Sequence, residues 1–157
     1  MSSKKEVAIS ACLLGYSCRY DGNHNLNQEL FSKLEEYHII PFCPEDYAFG
    51  TPRPTMDLIS NHSIVRAVSN ENGSDLSIPI FRYAHKFFQE NPNIELFIGK
   101  DRSPSCGVKS AKVYDKDKKL ISKSGTGLMA KVALDLGIKS LDLEEYIGDN
   151  SAILPKK

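Results

Sequence analysis

Apolar positions along the chain come in short blocks parted by polar turns, and the spacing inside each block predicts its element. Residues 7–14 (VAISACLL) are an apolar, partly β-branched run that reads as a buried strand closed by Gly15. Residues 39–43 (IIPFC), 63–68, 95–99 (ELFIG), 111–114, 119–121 and 138–141 read as further short strands. Pro41 argues against a central place for the first of these. Leu30, Phe31 and Leu34 give residues 27–37 helical spacing. Ile78, Phe81, Ala84, His85 and Phe88 fall on one face of a helix over 77–90, with Pro79 in its first turn. A third helix, over 127–136, closes at Gly137. Residues 16–25, with a turn signal at Asp21–Gly22, read as a loop, as do the proline- and aromatic-rich 44–58 and residues 100–110. Strands alternate with helices at intervals that suit βαβ crossovers. The expected architecture is one α/β domain over residues 1–157, three-layered, with a mostly parallel sheet. Its core spans 7–148 and a mobile tail covers 149–157.

Composition narrows the class. The chain has 157 residues, enough to bury roughly two-thirds of its unfolded surface without staples. It is 41% hydrophobic and 25% charged, a globular balance. Lys and Arg total 20, and so do Asp and Glu. That balance argues against a protein built to grip a nucleic-acid backbone or an anionic membrane. No apolar stretch approaches the roughly 20 residues that span a bilayer. The polar start, residues 1–6, leads into an apolar run of only about seven, too short for a secretory segment. The expected location is the cytoplasm, with neither membrane nor nucleic acid as partner.

The four cysteines, Cys12, Cys18, Cys43 and Cys106, then become informative. A reducing compartment disfavours structural disulfides, which leaves packed thiols, reactive thiols or metal ligands. Packing suits Cys12, which sits in an apolar run. It suits Cys43 and Cys106 less well, because both lie among prolines and polar residues, in PFCPED and RSPSCG. Cys12 lies near the end of one expected strand, Cys43 at the end of another, and Cys106 in the loop after a third. In an open parallel sheet those positions meet at the carboxyl rim, where ligands bind. The absence of a CxxC pair disfavours a zinc knuckle. Iron–sulfur clusters typically take four thiolates, so three would leave one iron open, and Cys18 is the candidate fourth.

SACLLG (residues 10–15), CRYDG (18–22), CPE (43–45), TPRP (51–54) and RSPSCG (102–107), in that order, resemble the thiouracil desulfidase family, once known only as a domain of unknown function. The resemblance runs over roughly residues 7–140. It implies a [4Fe–4S] cluster on Cys12, Cys43 and Cys106. It also implies non-redox, hydrolytic removal of sulfur from a thiolated pyrimidine such as 2-thiouracil, to give uracil and sulfide, with the sulfur bound to the open iron. Glu45 and Ser103 match catalytic side chains of the family pattern. The segment after TPRP departs from that pattern: TMDLISNHSIV stands where a Glu-containing continuation is expected, and Asp57 is the nearest substitute.

In such a site Glu45 would serve as general base for the attacking water. Ser103 would donate a hydrogen bond or pass a proton, with Ser105 adjacent to it. A cluster on three thiolates carries about −1 net charge, which a nearby arginine would ease into the fold. Of Arg19, Arg53 and Arg102, Arg53 is best placed, held between two prolines. Gly107 would admit tight backbone beside the cluster. His24, His38, His62 and His85 follow no ligand pattern. Two other readings stand beside this one: an iron–sulfur sensor or cluster carrier without turnover, and a metal-free enzyme with Cys106 as nucleophile.

Overall fold

The computed structural model describes residues 5–14, 37–50 and 55–152; the side chains of Cys12, Asp46 and residues 148–152 also lie outside the description. The most apolar strands are innermost. β1 (Glu6–Ser10) and β5 (Ile94–Gly99) lie side by side, flanked by β2 (His38–Phe42) and β8 (Lys139–Asp142). The order is β2-β1-β5-β8 and every pair is parallel. Val7, Ala8, Ile9, Phe97 and Ile98 are fully buried, as strands covered on both faces require. β2 is an edge strand, which is where Pro41 costs least. The expected mostly parallel sheet of an α/β fold is therefore present.

Helix α1 (Pro44–Phe49) follows β2, α2 (Ser77–Glu90) precedes β5, α3 (Leu128–Asp135) precedes β8, and α4 (Leu143–Ala152) follows it. One face of the sheet packs Ala8, Phe42 and Phe97 against Ala84, Phe87 and Phe88 of α2 and Met129 and Ala133 of α3. The other packs Val7, Ile9, Leu96 and Ile98 against Leu143 and Tyr146 of α4. That gives the three layers. A second sheet, not expected from the sequence, adds to them: β3 (Met56–Asn61), β4 (Ile64–Ser69), β6 (Ala111–Tyr114) and β7 (Leu120–Gly125) in the order β4-β3-β6-β7, mixed in direction. Met56, Leu58, Ala67 and Val113 of this sheet close over Ile80 of α2 and Leu128 of α3.

That sandwich corrects the expected face of α2. Its buried residues are Ser77, Ile80, Ala84, Phe87 and Phe88, while Ile78 is 57% exposed and His85 is exposed. The helix meets apolar surface on two sides, so its stripe is turned from the one that Ile78 and His85 would define. Three further boundaries differ. The first strand stops at Ser10, and Ala11–Leu14 wind into a 3-10 turn that still buries Leu13; an apolar run alone does not separate strand from helix. Residues 44–58 hold α1 and the start of β3 where a loop was expected; Pro44 opens α1, a position that suits its fixed φ. Residues 143–152 form helix α4, an element not expected from the sequence. The helix expected over 27–37 lies outside the described residues, save Tyr37 in the bend before β2.

The loop between β5 and β6 is clamped from three directions. A Cβ on Gly99, at the end of β5, would collide with the carbonyl oxygen of Cys106. One on Gly127 would lie 2.5 Å from the carbonyl carbon of Ser105. Both glycines thus let the loop backbone lie directly on the strand end and on the start of α3. The first N–H groups of α3 donate into that loop: Leu128 to the Pro104 carbonyl (3.1 Å), Met129 and Ala130 to that of Ser105 (2.8 and 3.2 Å). At the end of β8 the buried Asp142 carboxylate accepts the N–H of Val108 (2.6 Å) and of Lys109 (2.8 Å). Just after β5, Asp101 accepts the N–H of Glu144 (3.0 Å) and so ties down the start of α4.

Gly99→Ala should displace the 103–107 backbone and cost about 1–3 kcal/mol or more, as overpacking does. A denaturant midpoint equal to that of the unchanged protein would show that the loop is not held this way. Asp101 gives a pH signature. Burial pushes its carboxyl above the ordinary range, against the pull of the Glu144 N–H, and the charges of Asp142 and Glu144 push it further up. The charged form is therefore the disfavoured one in the fold. Its cost is absent below the unfolded aspartate pKa and grows as pH rises through the raised folded value. Asp101→Asn keeps an acceptor for Glu144 without the charge. Its thermal midpoint should exceed that of the unchanged protein at pH 8, and the gap should close as the pH is lowered toward about 4. A gap that is the same at both pH values would contradict this.

Candidate active site

Within the clamped loop, the Ser103 side chain organises the RSPSCG turn. Its Oγ accepts the N–H of Ser105 (3.2 Å) and of Cys106 (3.0 Å), and its carbonyl accepts the N–H of Gly107 (2.9 Å). A Cβ on Gly107 would sit 2.9 Å from that same carbonyl oxygen, which is why this position takes glycine. Arg102 enters the turn with φ of 67°, its N–H donating to Ser110 Oγ at 2.8 Å and its exposed side chain 3.6 Å from Glu144. The outcome is a buried Ser105 and a buried Cys106, 1% and 4% exposed.

Ser105 is the hub of the polar contacts. Its Oγ donates to Glu45 Oε2 at 2.7 Å, lies 3.2 Å from Ser103 Oγ, and lies 3.4 Å from Cys106 Sγ. Glu45 is in the first turn of α1, two residues after Cys43. Since the single Ser105 proton goes to the carboxylate, the Ser103 hydroxyl is the donor between the two serines. The hydrogen bonds thus run in one direction, Ser103 to Ser105 to Glu45. Both serines and the glutamate were legible as candidates; their order was not.

Across the rim, the Cys43 N–H donates to the Tyr83 hydroxyl oxygen on α2 (3.2 Å). The Tyr83 hydroxyl is pushed up to about 12, chiefly by burial, with the charges of Cys106, Cys43 and Tyr47 adding to it against the Cys43 N–H. Its ring lies 5.1 Å from that of Tyr47 and stacks at 6.1 Å on Phe87. Nothing in the sequence singles Tyr83 out: it occupies an ordinary position in an amphipathic helix.

The three expected cysteine ligands leave the carboxyl ends of three neighbouring strands. Cys12 has its backbone in the turn after β1, Cys43 directly follows β2, and Cys106 is in the loop after β5. Neighbouring strands lie about 4.8 Å apart, so these chain positions share one rim. β1 and β5 also bracket the point where the strand order reverses, the usual ligand crevice of an open α/β sheet. Among the described residues no three His, Cys, Asp or Glu side chains gather as a metal site, the Cys12 side chain lying outside that set. Cys18, Arg19, Asp21 and Arg53 also fall outside the described residues. Asp57 is on β3, 3.7 Å from Lys118 Nζ, in the second sheet. His38, His62 and His85 are exposed. No helix among the described residues is long and apolar enough to cross a membrane.

Comparison with known proteins agrees with this layout. The chain is 26% identical over 150 residues to "Uncharacterized protein YbbK" of Bacillus subtilis (strain 168), covering 88% of this chain and 96% of that one. Among solved structures it resembles the [4Fe-4S]-dependent thiouracil desulfidase TudS, with a TM-score of 0.72 and 27% identity over 90% of this chain and 93% of that one. Residues 7–145 match the model of one family from the first strand into α4, and the chain belongs to that family, the 2-thiouracil desulfurases.

Proposed function

We propose that this chain is a desulfidase that uses a [4Fe–4S] cluster to replace the sulfur of a thiolated pyrimidine, such as 2-thiouracil, by oxygen from water. The products are uracil and sulfide, with no net oxidation or reduction. The observation that carries the reading is the 2.7 Å bond from Ser105 to Glu45, made directly beside Cys106 at the sheet rim.

The donors at that rim fit such a cluster. Cys43 and Cys106 offer soft sulfur, and Cys106 belongs to the same buried apolar group as Phe42 and Phe97. Cys12 is the third ligand of the proposal. When bound, the cluster supplies an iron without a protein thiolate, a Lewis acid matched to a thiocarbonyl sulfur. Glu45 takes a proton from the water that adds to the thiocarbonyl carbon, and the C–S bond then breaks. Ser105 holds the carboxylate in place by its hydrogen bond, and Ser103 backs Ser105. Gly107 keeps the turn tight enough to present Ser105 and Cys106 together. Arg53 offsets the negative charge of the loaded site. The substrate is a small molecule, the single domain works in the cytoplasm, and neither membrane nor nucleic acid takes part.

Anaerobic reconstitution followed by iron, sulfide and turnover assays tests each part. Cys12→Ser, Cys43→Ser and Cys106→Ser should each lose the cluster, and Cys18→Ser should keep most of its iron. Loss of iron from Cys18→Ser equal to the others would mean four protein ligands, and would favour a sensor or carrier. Glu45→Gln should keep the cluster absorbance and bind 2-thiouracil, with turnover down by roughly 10²–10⁴-fold. Near-normal turnover would remove Glu45 from the chemistry.

A further inference from the structure

The turn that leads from β4 toward α2 carries the chain's one Asn–Gly pair, Asn72–Gly73. Main-chain bonds build it: the Ser69 N–H donates to the Ser74 carbonyl at 2.9 Å, and the Gly73 N–H to the Ser69 carbonyl at 3.0 Å. Gly73 closes the turn at φ 77°, a left-handed conformation that glycine takes without strain. Both residues are exposed, and a Cβ on Gly73 would meet no atom within 4 Å. The Asn72 side chain folds forward along the chain, its Oδ1 accepting the N–H of Ser74 at 3.0 Å. That bond has two chemical effects. It holds the side-chain amide over the Gly73 peptide, which lies between the two residues. It also draws charge onto Oδ1, as an oxyanion donor does, and leaves the amide carbon more open to attack. The Gly73 nitrogen is the nucleophile next in the chain, and its attack closes a five-membered ring without any partner having to be brought in.

We propose that Asn72–Gly73 is a self-modification site of the folded chain, with water as its only co-reactant. The Gly73 nitrogen bonds to Asn72 Cγ, the Cγ–Nδ2 bond breaks, and ammonia leaves with the Gly73 amide proton. Water then opens the cyclic imide at one of its two carbonyls, giving aspartate or isoaspartate with no oxidation or reduction. Glycine suits the step because it has no Cβ to crowd the attacking nitrogen. The bond from Gly73 to Ser69 is the part of the turn that opens first. Each event adds a negative charge between Glu71 and Asp75, and the isoaspartate form adds one carbon to the main chain of the turn. The change falls where β4 hands over to α2. There the Leu76 N–H donates to the Ala67 carbonyl (2.7 Å), and Ser77 Oγ accepts the Ala67 N–H (2.9 Å). Ala67 and Leu76 belong to the apolar group around Ile80. The modification therefore bears on the start of α2, and it is independent of the reading of the sheet rim.

The test follows the full chain by peptide mapping and mass spectrometry, and needs no cluster. The protein is held folded at pH 6 and at pH 8, and in parallel unfolded in guanidinium chloride at pH 8. In the folded samples the peptide that contains residue 72 should show the mass gain of amide-to-acid conversion. It should split into aspartate and isoaspartate forms, with ammonia released mole for mole. Conversion should be several-fold faster at pH 8 than at pH 6, because the attacking nitrogen must lose its proton. Asn72→Gln, whose longer side chain would have to close a six-membered ring, should release no ammonia from this position over the same period. A folded protein that keeps Asn72 intact while the unfolded sample loses it would overturn the proposal, by showing that the bond from Gly73 to Ser69 locks the turn. Asn72 intact in every sample, or ammonia release unchanged in Asn72→Gln, would overturn it as well.

Discussion

The site depends on how closely the backbone of Cys106 can lie against the end of β5. That approach exists because Gly99 and Gly127 present no Cβ to the loop from either side. The polar groups of the RSPSCG turn inherit their position from this contact. The loop carbonyls of Pro104 and Ser105 complete the first turn of α3, so the helix start and the loop satisfy each other without a capping side chain. With those N–H groups spent on the loop, the start of α3 has none to offer an anion. Asp142 secures the far side of the loop by taking two successive N–H groups on its two carboxylate oxygens. Exposed ion pairs such as Lys86–Glu90 and Lys131–Asp135 add little by comparison, being open to solvent and salt.

A rigid loop matters because the proposed chemistry needs a carboxylate and a thiol each within hydrogen-bond reach of one hydroxyl. Ser105 reaches Glu45 across sixty positions of sequence, and the two come from different elements, the 100–110 loop and α1. Neither element alone would hold them together. The parallel sheet does so by delivering both to one rim, after β2 and after β5, on either side of β1. The direction of the hydrogen bonds follows from counting protons: Ser103 accepts two backbone N–H groups and so gives its own proton to Ser105, which gives its own to Glu45. In the proposed reaction, a water proton taken up by Glu45 would therefore meet a carboxylate already held at one oxygen.

Much of this was legible in the sequence. The parallel sheet followed from short apolar runs alternating with helical spacing, and α2 was expected with its exact bounds. Cys43, Cys106, Glu45, Ser103, Ser105 and Gly107 were singled out by motif and by strand-end position. What was not legible depended on partners distant in sequence. Ile78 and Ile80 are equally apolar, and only the second sheet decides that Ile80 is buried and Ile78 is not. The β3–β4 hairpin turns at His62 and Ser63, both at positive φ, without the glycine that usually marks such a turn. Gly99 read as an ordinary strand end, because the backbone that presses on it arrives seven residues later. Tyr83 gave no signal, since its significance lies in a bond to a main-chain N–H forty positions away.

The second sheet has a part in the site although it supplies no proposed ligand. It covers the outer side of α2 at Ile80 and of α3 at Leu128, so both helices are pressed onto the parallel sheet from behind. On that inner side Phe42 stacks on Phe97 at 4.8 Å, and Phe87 meets Phe42 edge-on at 5.7 Å. Phe42 is the residue before Cys43, and Phe87 is one helical turn beyond Tyr83. The aromatic contact that joins α2 to β2 therefore sets the distance between the Tyr83 hydroxyl and the Cys43 backbone. Loosening the second sheet would release α2 and, through Phe87, the Cys43 end of the rim. The Cys106 loop has two further holds that belong to the parallel sheet, Gly99 at the end of β5 and Asp142 at the end of β8. The geometry of the rim at Cys43 thus answers in part to the second sheet, which reaches it through α2 and through Phe49 of α1.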